Sequence, residues 1–510
     1  MEKICNLDKK YKYTIIATFF AGILAHGYMF TNKISYHDDI KGLFTIGETL
    51  RLGRWSLEII YYILSHTVGK YSMPIWTGTL TMIFVSASAC MIINLLGIKD
   101  VFRCILIGSA MIVLPTVTMT FLYMFTAGSY FGALFLSVFA VWILEKYDNI
   151  WSIIGAVICI AFSTGIYQAY FSVGISLILL LIINDIVRGA KPIVKACKFL
   201  SVEAAGLILY LIILKIWLYS TGTDLSTYKG VDSMLSFSVK SRLKRVLDCY
   251  LDIKTNLVRN EQGLVGNRAI RIILALCLVL SFIIFLYLGH MITDRLIKIF
   301  YYGVILALPI GINLIYPMSS DNTDMHPLMR YSMVFLWILP LYALELFGQC
   351  TEKRKLSILN KWIGVCVAIV IVNYIYVANI TYTKISFLQE QTTTYFTVMI
   401  TQIKSCEGYR DEMPVAFIGA RNIEDLTFTV NNEYRVYLPI ARRDLKGWVN
   451  EYSYLEYLRY HCGFSPQLAS NEEVLAVYDE IENMPIYPDC GSIKVVDDIV
   501  VVKLSEVGIN

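Results

Sequence analysis

"YTIIATFFAGILAHGYMF", residues 13–30, carries no Asp, Glu, Lys or Arg over eighteen positions. A helix needs about 20 predominantly apolar residues to cross the hydrocarbon core of a bilayer. The run follows Lys3, Lys9, Lys10 and Lys12, an arrangement like the basic region of a signal peptide. Its length, and the similar runs that come after it, make it an uncleaved anchor with an inside amino terminus. Comparable runs recur at 75–97, 104–125, 127–144, 150–166, 168–184, 199–218, 270–290, 299–316, 331–348 and 362–380. The chain is therefore expected to be mainly α, a polytopic helical membrane protein with about eleven spans. The segment 56–66, "SLEIIYYILSH", is too short to cross and is expected to lie in the interface or to dip into the protein.

Composition points the same way. Of 510 residues, 56% are hydrophobic and 16% charged, against about 25% charged in ordinary soluble chains. Mean hydropathy is +0.59. The net charge is +4 and no nucleic-acid partner is expected. Many of the twelve cysteines stand singly in apolar runs, among them Cys90, Cys104, Cys159 and Cys366, where cysteine acts as a small hydrophobe. No CxxC pair and no His/Cys spacing typical of zinc is present, so neither a metal centre nor a disulfide framework is indicated.

Orientation follows from the basic residues of the short connections. Lys99 and Arg103, Lys146, Arg188 to Lys198, Arg295 and Lys298, and Lys353 to Lys361 would all face the cytoplasm. The connections at 126–129 and 166–168 carry no Lys or Arg. Outer loops are then expected at 31–74, 219–269 and 317–330. After 381 the chain changes character, passing from a helical stretch to short strand-like runs, "PVAFIG", "YRVYLPIA" and "GSIKVVDDIVVVKL" with a turn at Asp497-Asp498. Residues 1–380 are thus expected to form the membrane domain and 381–510 a small extracytoplasmic α/β domain.

The outer loops hold the residues with chemical potential. "KISYHDDIKG", 33–42, brings Asp38 and Asp39 to the membrane surface, and "GRW", 53–55, sets the Arg54 guanidinium beside the Trp55 ring. Tyr167 and Gln168 form a tight outer turn in "GIYQAY", 165–170. His326 and Arg330 stand at the mouth of a span in "SSDNTDMHPLMRYS", 319–332. Solvated acids, belt aromatics and headgroup-anchoring arginines would also explain these residues. Moving a sugar from a polyprenyl-phosphate carrier to a hydroxyl needs a carboxylate base and a cation for the departing phosphate. Asp38 or Asp39 suits the first role. Arg54 and Arg330 suit the second, and Trp55, Tyr167, Gln168 and His326 are sugar- or acceptor-binding candidates.

The motifs "HDD", "GRW", "GIYQAY", "MRYS" and, near the end, "MPIYPDCGSI" together resemble the polytopic bacterial glucosyltransferases that modify O-antigen during serotype conversion, within the GT-C superfamily. The resemblance covers nearly the whole chain. It implies a GT-C fold, an undecaprenyl-phosphate-linked glucose donor, inverting transfer, and an essential acid in the first outer loop that falls on Asp38 or Asp39. It also implies an active site and C-terminal domain outside the bacterial cytoplasmic membrane. The acceptor would be a polysaccharide or glycolipid, such as O-antigen, wall polysaccharide or teichoic acid. Some GT-C relatives use a divalent cation, and Asp38 with Asp39 could hold one. A glycolipid flippase or a non-catalytic anchor are the competing classes. Flippases concentrate charge within the bundle, whereas here the acids gather in the outer loops.

Overall fold

A computed structural model describes residues 7–35, 37–42, 49–67, 72–190, 192–226, 239–259, 264–319, 325–350, 357–419 and 453–506. The chain forms two compact units. One comprises Met1–Lys33 with Ile46–Asn379, the other Ile34–Thr45 with Ile380–Asn510.

The first unit is a helical bundle. Its long helices are α1 (Lys9–Thr31), α4 (Pro74–Leu95), α7 (Met124–Lys146), α9 (Phe171–Val187), α10 (Pro192–Thr221), α12 (Arg268–His290), α13 (Arg295–Ile312) and α15 (Phe335–Cys350). Between them lie α2 (His37–Gly42, which groups with the second unit), α3 (Trp55–Thr67), α5 (Val101–Val113), α6 (Pro115–Phe121), α8 (Ile150–Ile166), α11 (Val239–Val258) and α14 (Ile315–Met318). Helix α16 (Ser357–Lys404) continues into the second unit. Among the described residues nine helical segments are long and apolar enough to cross a membrane. The pair α5–α6, bent by 40° at Pro115, makes a tenth if it counts as one span. Helix α8, at 17 residues, is shorter than those nine, so the structure supports nine or ten spans by length where the sequence suggested about eleven.

Local chemistry sets the helix ends. The side chains of Asp8, Asp100, Asn149, Asn267 and Asp294 accept hydrogen bonds from the first-turn N–H groups of α1, α5, α8, α12 and α13. Pro74 and Pro115 open α4 and α6, where a missing N–H costs nothing. Packing between spans depends on small residues. A Cβ at Gly108 would fall 2.5 Å from Thr18 Oγ1, and one at Gly206 would fall 2.5 Å from Ile160 Cγ2, so α5 meets α1 and α10 meets α8 without a side chain between. Helix α3 is buried at its start and exposes Tyr62, Ile63 and Leu64 towards its end.

The second unit has a three-stranded sheet in the order β1-β3-β2, with β1 (Val415–Ile418) parallel and β2 (Ile493–Val496) antiparallel to the buried central strand β3 (Ile499–Lys503). The expected turn joins β2 to β3 through Asp497 and Asp498, at φ 44° and 63°. Val474, Val477, Ile481 and Met484, from 471–484, pack on the sheet with Ile418, Ile499 and Val501. "YRVYLPIA" lies outside the described residues. The helix expected to open the tail is not separate from the last span. No Gly or Pro follows Gly364 before Lys404, and α16 runs 48 residues without a break.

Asp38 and Asp39 fall in α2, within the second unit. They were expected to lie in the outer loop 31–74. The helix instead places them in its first turn, where the dipole favours carboxylates. It packs against α17 (Tyr454–His461), and the Ser35 N–H donates to Gln389 Oε1 at 3.3 Å. Asp39 is 0% exposed and Asp38 is half-buried.

Candidate functional site

The "GRW" stretch is held by hydrogen bonds on both sides. A 3-10 turn, Leu50–Leu52, closes with the Gly53 N–H on Leu50 O at 2.8 Å and the Arg54 N–H on Thr49 O at 2.9 Å. Gly53 sits at φ 74°, and any Cβ there would lie 2.8 Å from the Tyr210 hydroxyl. Gln168 donates to Leu52 O at 3.0 Å, and Tyr210 donates to Gly53 O at 3.0 Å. The turn is thereby tied to the "GIYQAY" segment and to α10. Trp55 is buried against Phe162 and Trp217, and a Cβ at Gly165 would lie 2.7 Å from its indole.

This scaffold presents Arg54. Its guanidinium lies 5.1 Å from the Tyr167 ring and 5.7 Å from the Tyr130 ring, which stack on each other at 4.1 Å with 9° between their planes. Arg54 Nη1 donates to the Tyr130 hydroxyl at 2.8 Å, while Nε is buried without an acceptor among the described residues. Nor does a carboxylate among the described residues pair with it. Burial works against the charge, but Tyr130 and Tyr167 offset it, and the titration of Arg54 moves upward from its ordinary range. The result is a half-buried cation backed by aromatic faces.

Arg330 is placed differently. It is 0% exposed and ion-paired with Asp252, and it also donates to the Tyr316 hydroxyl. Tyr316 donates to Asp252 Oδ1 at 2.9 Å, Asn313 Nδ2 to Oδ2 at 3.2 Å and Asn256 Nδ2 to Oδ1 at 3.0 Å. The charge expected to meet a phosphate has a carboxylate partner inside the protein, while Arg330 Nε and Nη1 are buried without an acceptor among the described residues. Asp252, Asn313 and Tyr316 therefore make this corner a structural lock between α11 and the end of α13.

The sugar-binding candidates also turn inward. Trp55, Tyr167 and Gln168 are buried and shape the Arg54 turn, so none offers an open face for a sugar ring. His326 caps the 3-10 segment Pro327–Val334 by accepting from Leu328 N–H at 3.3 Å, and its ring meets Tyr123 edge-on. The motifs nonetheless converge. Tyr167 contacts Tyr170 and Tyr170 contacts Tyr331, each with centroids 5.7 Å apart, which links "GRW", "GIYQAY" and "MRYS" through one aromatic chain.

Reading the sequence missed Tyr130, Tyr210 and Asp252. Tyr130 and Tyr210 looked like ordinary span residues. Asp252 could have been found from helical spacing, because Arg245, Cys249, Asp252 and Asn256 recur on one face of α11. Among the described residues no group of three or more His, Cys, Asp or Glu side chains is arranged to hold a metal ion. Two adjacent acids in one helical turn make a poor cation site by themselves.

No curated protein and no solved structure matches the chain. A family match does exist: residues 27–341, from the end of α1 into α15, match the family described as glucosyl transferase GtrII. That span contains "HDD", "GRW", "GIYQAY" and "MRYS", and it covers more than half of the protein. The chain belongs to the GtrII glucosyl transferase family.

Proposed function

We propose that the protein transfers a glucosyl residue from a polyprenyl-phosphate carrier, undecaprenyl phosphate in bacteria, to a hydroxyl of a cell-surface polysaccharide or glycolipid. The reaction would be a single inverting displacement in a GT-C-type bundle of eleven crossings, counting α8 and the bent α5–α6 pair. It would take place on the outer face of the cytoplasmic membrane. Residues 1–380 would form the catalytic membrane domain and 381–510 the extracytoplasmic domain.

The observation that carries this reading is Arg54. Its half-buried guanidinium has no carboxylate partner among the described residues, and its Nε has no acceptor there, so donors are left to meet an anion. Its fork matches a phosphate bidentately. The donor's C1–O bond breaks as the acceptor oxygen attacks from the opposite face, and the carrier leaves as polyprenyl phosphate beside Arg54. Arg330, paired with Asp252, supports the architecture. The acceptor proton goes to a first-loop carboxylate. Asp38 fits that role better than Asp39, because a fully buried carboxylate has no surface on which to receive a proton from a glycan. Asp39 then fixes α2 in place.

The test uses purified protein in nanodiscs with polyprenyl-phosphate-[14C]glucose and a hydroxyl acceptor glycan. Labelled glycan and free polyprenyl phosphate should appear in equal amounts, and UDP-glucose should not replace the donor. Use of UDP-glucose at a comparable rate would overturn the lipid-linked donor. Release of neither product, with the labelled lipid moved intact between leaflets, would indicate a flippase.

A further inference from the structure

Helix α11 distributes its residues inside out. Leu243, Leu247 and Leu251, at intervals of four, are 67%, 57% and 44% exposed, and Val258 continues the same side. Its buried face is polar: Arg245, Cys249, Asp252 and Asn256. A surface helix surrounded by water has the opposite arrangement.

The surroundings identify what covers the leucines. Tyr250 donates to the carbonyl of Leu306 on α13. Leu306 lies six residues before the end of that span, about 9 Å along its axis. Leu306 is itself 61% exposed on a helix long and apolar enough to cross a membrane, so the leucine stripe continues the exposed apolar flank of that helix. Lys254 falls within the stripe, three residues after Leu251, and Lys244 and Arg259 lie to its side; all three are exposed. Their long stems can lie along the apolar layer while their charges reach the headgroups.

We propose that α11 is seated in the outer leaflet, with Leu243, Leu247 and Leu251 against lipid acyl chains and Asp252 turned into the bundle. The segment 219–269 is then not simply an aqueous loop. It contains a membrane-embedded flank of the enzyme, and the leaflet itself presses the polar face of α11 onto Arg330.

Thiol labelling of the full chain in nanodiscs tests this, with the reactivity of the parental cysteines subtracted. Leu247→Cys and Asp224→Cys are compared, since Asp224 is exposed near the start of the same connection. A charged methanethiosulfonate should label Asp224→Cys on the order of tenfold faster or more, because lipid excludes the reagent and suppresses the thiolate. A long-chain maleimide dissolved in the bilayer should label Leu247→Cys readily. Equal labelling of both sites by the charged reagent would show that the stripe is solvated and overturn the proposal. Failure of both reagents at Leu247→Cys would show that protein covers the stripe, a second copy for instance, and would also overturn it. Leu243→Cys and Leu251→Cys repeat the measurement at independent positions. None of these readouts depends on transferase activity, so the result is separable from the function proposed above.

Discussion

Arg330 and Asp252, 78 residues apart in sequence, form an ion pair within the protein, and the Tyr316 hydroxyl bonds to the same Asp252 oxygen. Breaking such a pair leaves a buried charge uncompensated. Asp252→Ala should destabilise the protein by about 3–5 kcal/mol. The double variant Asp252→Leu/Arg330→Met removes both charges and should recover much of that loss. Thermal unfolding of the purified variants in one detergent decides the matter; equal losses in both would mean the pair does not hold α11 to the bundle.

Arg54 should behave differently, because its role is to meet a ligand. Arg54→Ala should lower kcat/KM for the lipid-linked donor roughly ten- to a hundredfold, with a small change in unfolding temperature. Arg54→Lys keeps the charge but loses the fork and should recover only part. Tyr130→Phe removes the hydroxyl that orients Nη1 while keeping the stacked ring, and should cost less than Arg54→Ala. Steady-state kinetics at varied donor concentration separate the three.

Gly53 and Gly189 provide a matched pair, at φ 74° and 75°. Alanine at either position carries a left-handed backbone penalty of about 1–2 kcal/mol. Only at Gly53 does the new Cβ also collide, 2.8 Å from the Tyr210 hydroxyl, whereas nothing lies within 4 Å at Gly189. Gly53→Ala should therefore lose more stability than Gly189→Ala and also lose donor use. Unfolding temperatures and initial rates measured side by side would reveal the difference.

The hairpin between β2 and β3 puts two aspartates at positive φ, where Gly is preferred at the second position. Asp498→Gly relieves a left-handed backbone penalty of about 1–2 kcal/mol, against about 0.5–1 kcal/mol of added unfolded-chain entropy. The exposed Arg410–Asp498 pair is also lost, so the C-terminal unit should gain at most about 1 kcal/mol. Resistance of that unit to limited proteolysis is a suitable readout.

The apolar runs of the sequence became helices because lipid leaves few alternatives for the backbone. The Asp497-Asp498 turn was equally readable, from two turn-forming residues between β-branched runs. What escaped were relations between distant residues. The pairing of Arg330 with Asp252 was invisible because nothing local in either stretch points to the other. Trp55 and Gln168 looked like ligand contacts because their burial arises from Phe162, Trp217 and Tyr210 on other helices. Asp38 and Asp39 read as a loop because α2 is only six residues long and gains support from Tyr454–His461, over four hundred positions away.

Polyprenyl phosphate release from polyprenyl-phosphate-glucose by the parental protein, Asp38→Asn and Asp39→Asn tests the central claim most directly. The parental protein should release the carrier only when a hydroxyl acceptor is present. Asp38→Asn should fold normally and turn over about 10²–10⁴-fold more slowly, with the donor KM nearly unchanged. Asp39→Asn should fall less, its loss tracking a lower unfolding temperature. Parental turnover in both variants, or no carrier release by the parental protein, would contradict the account.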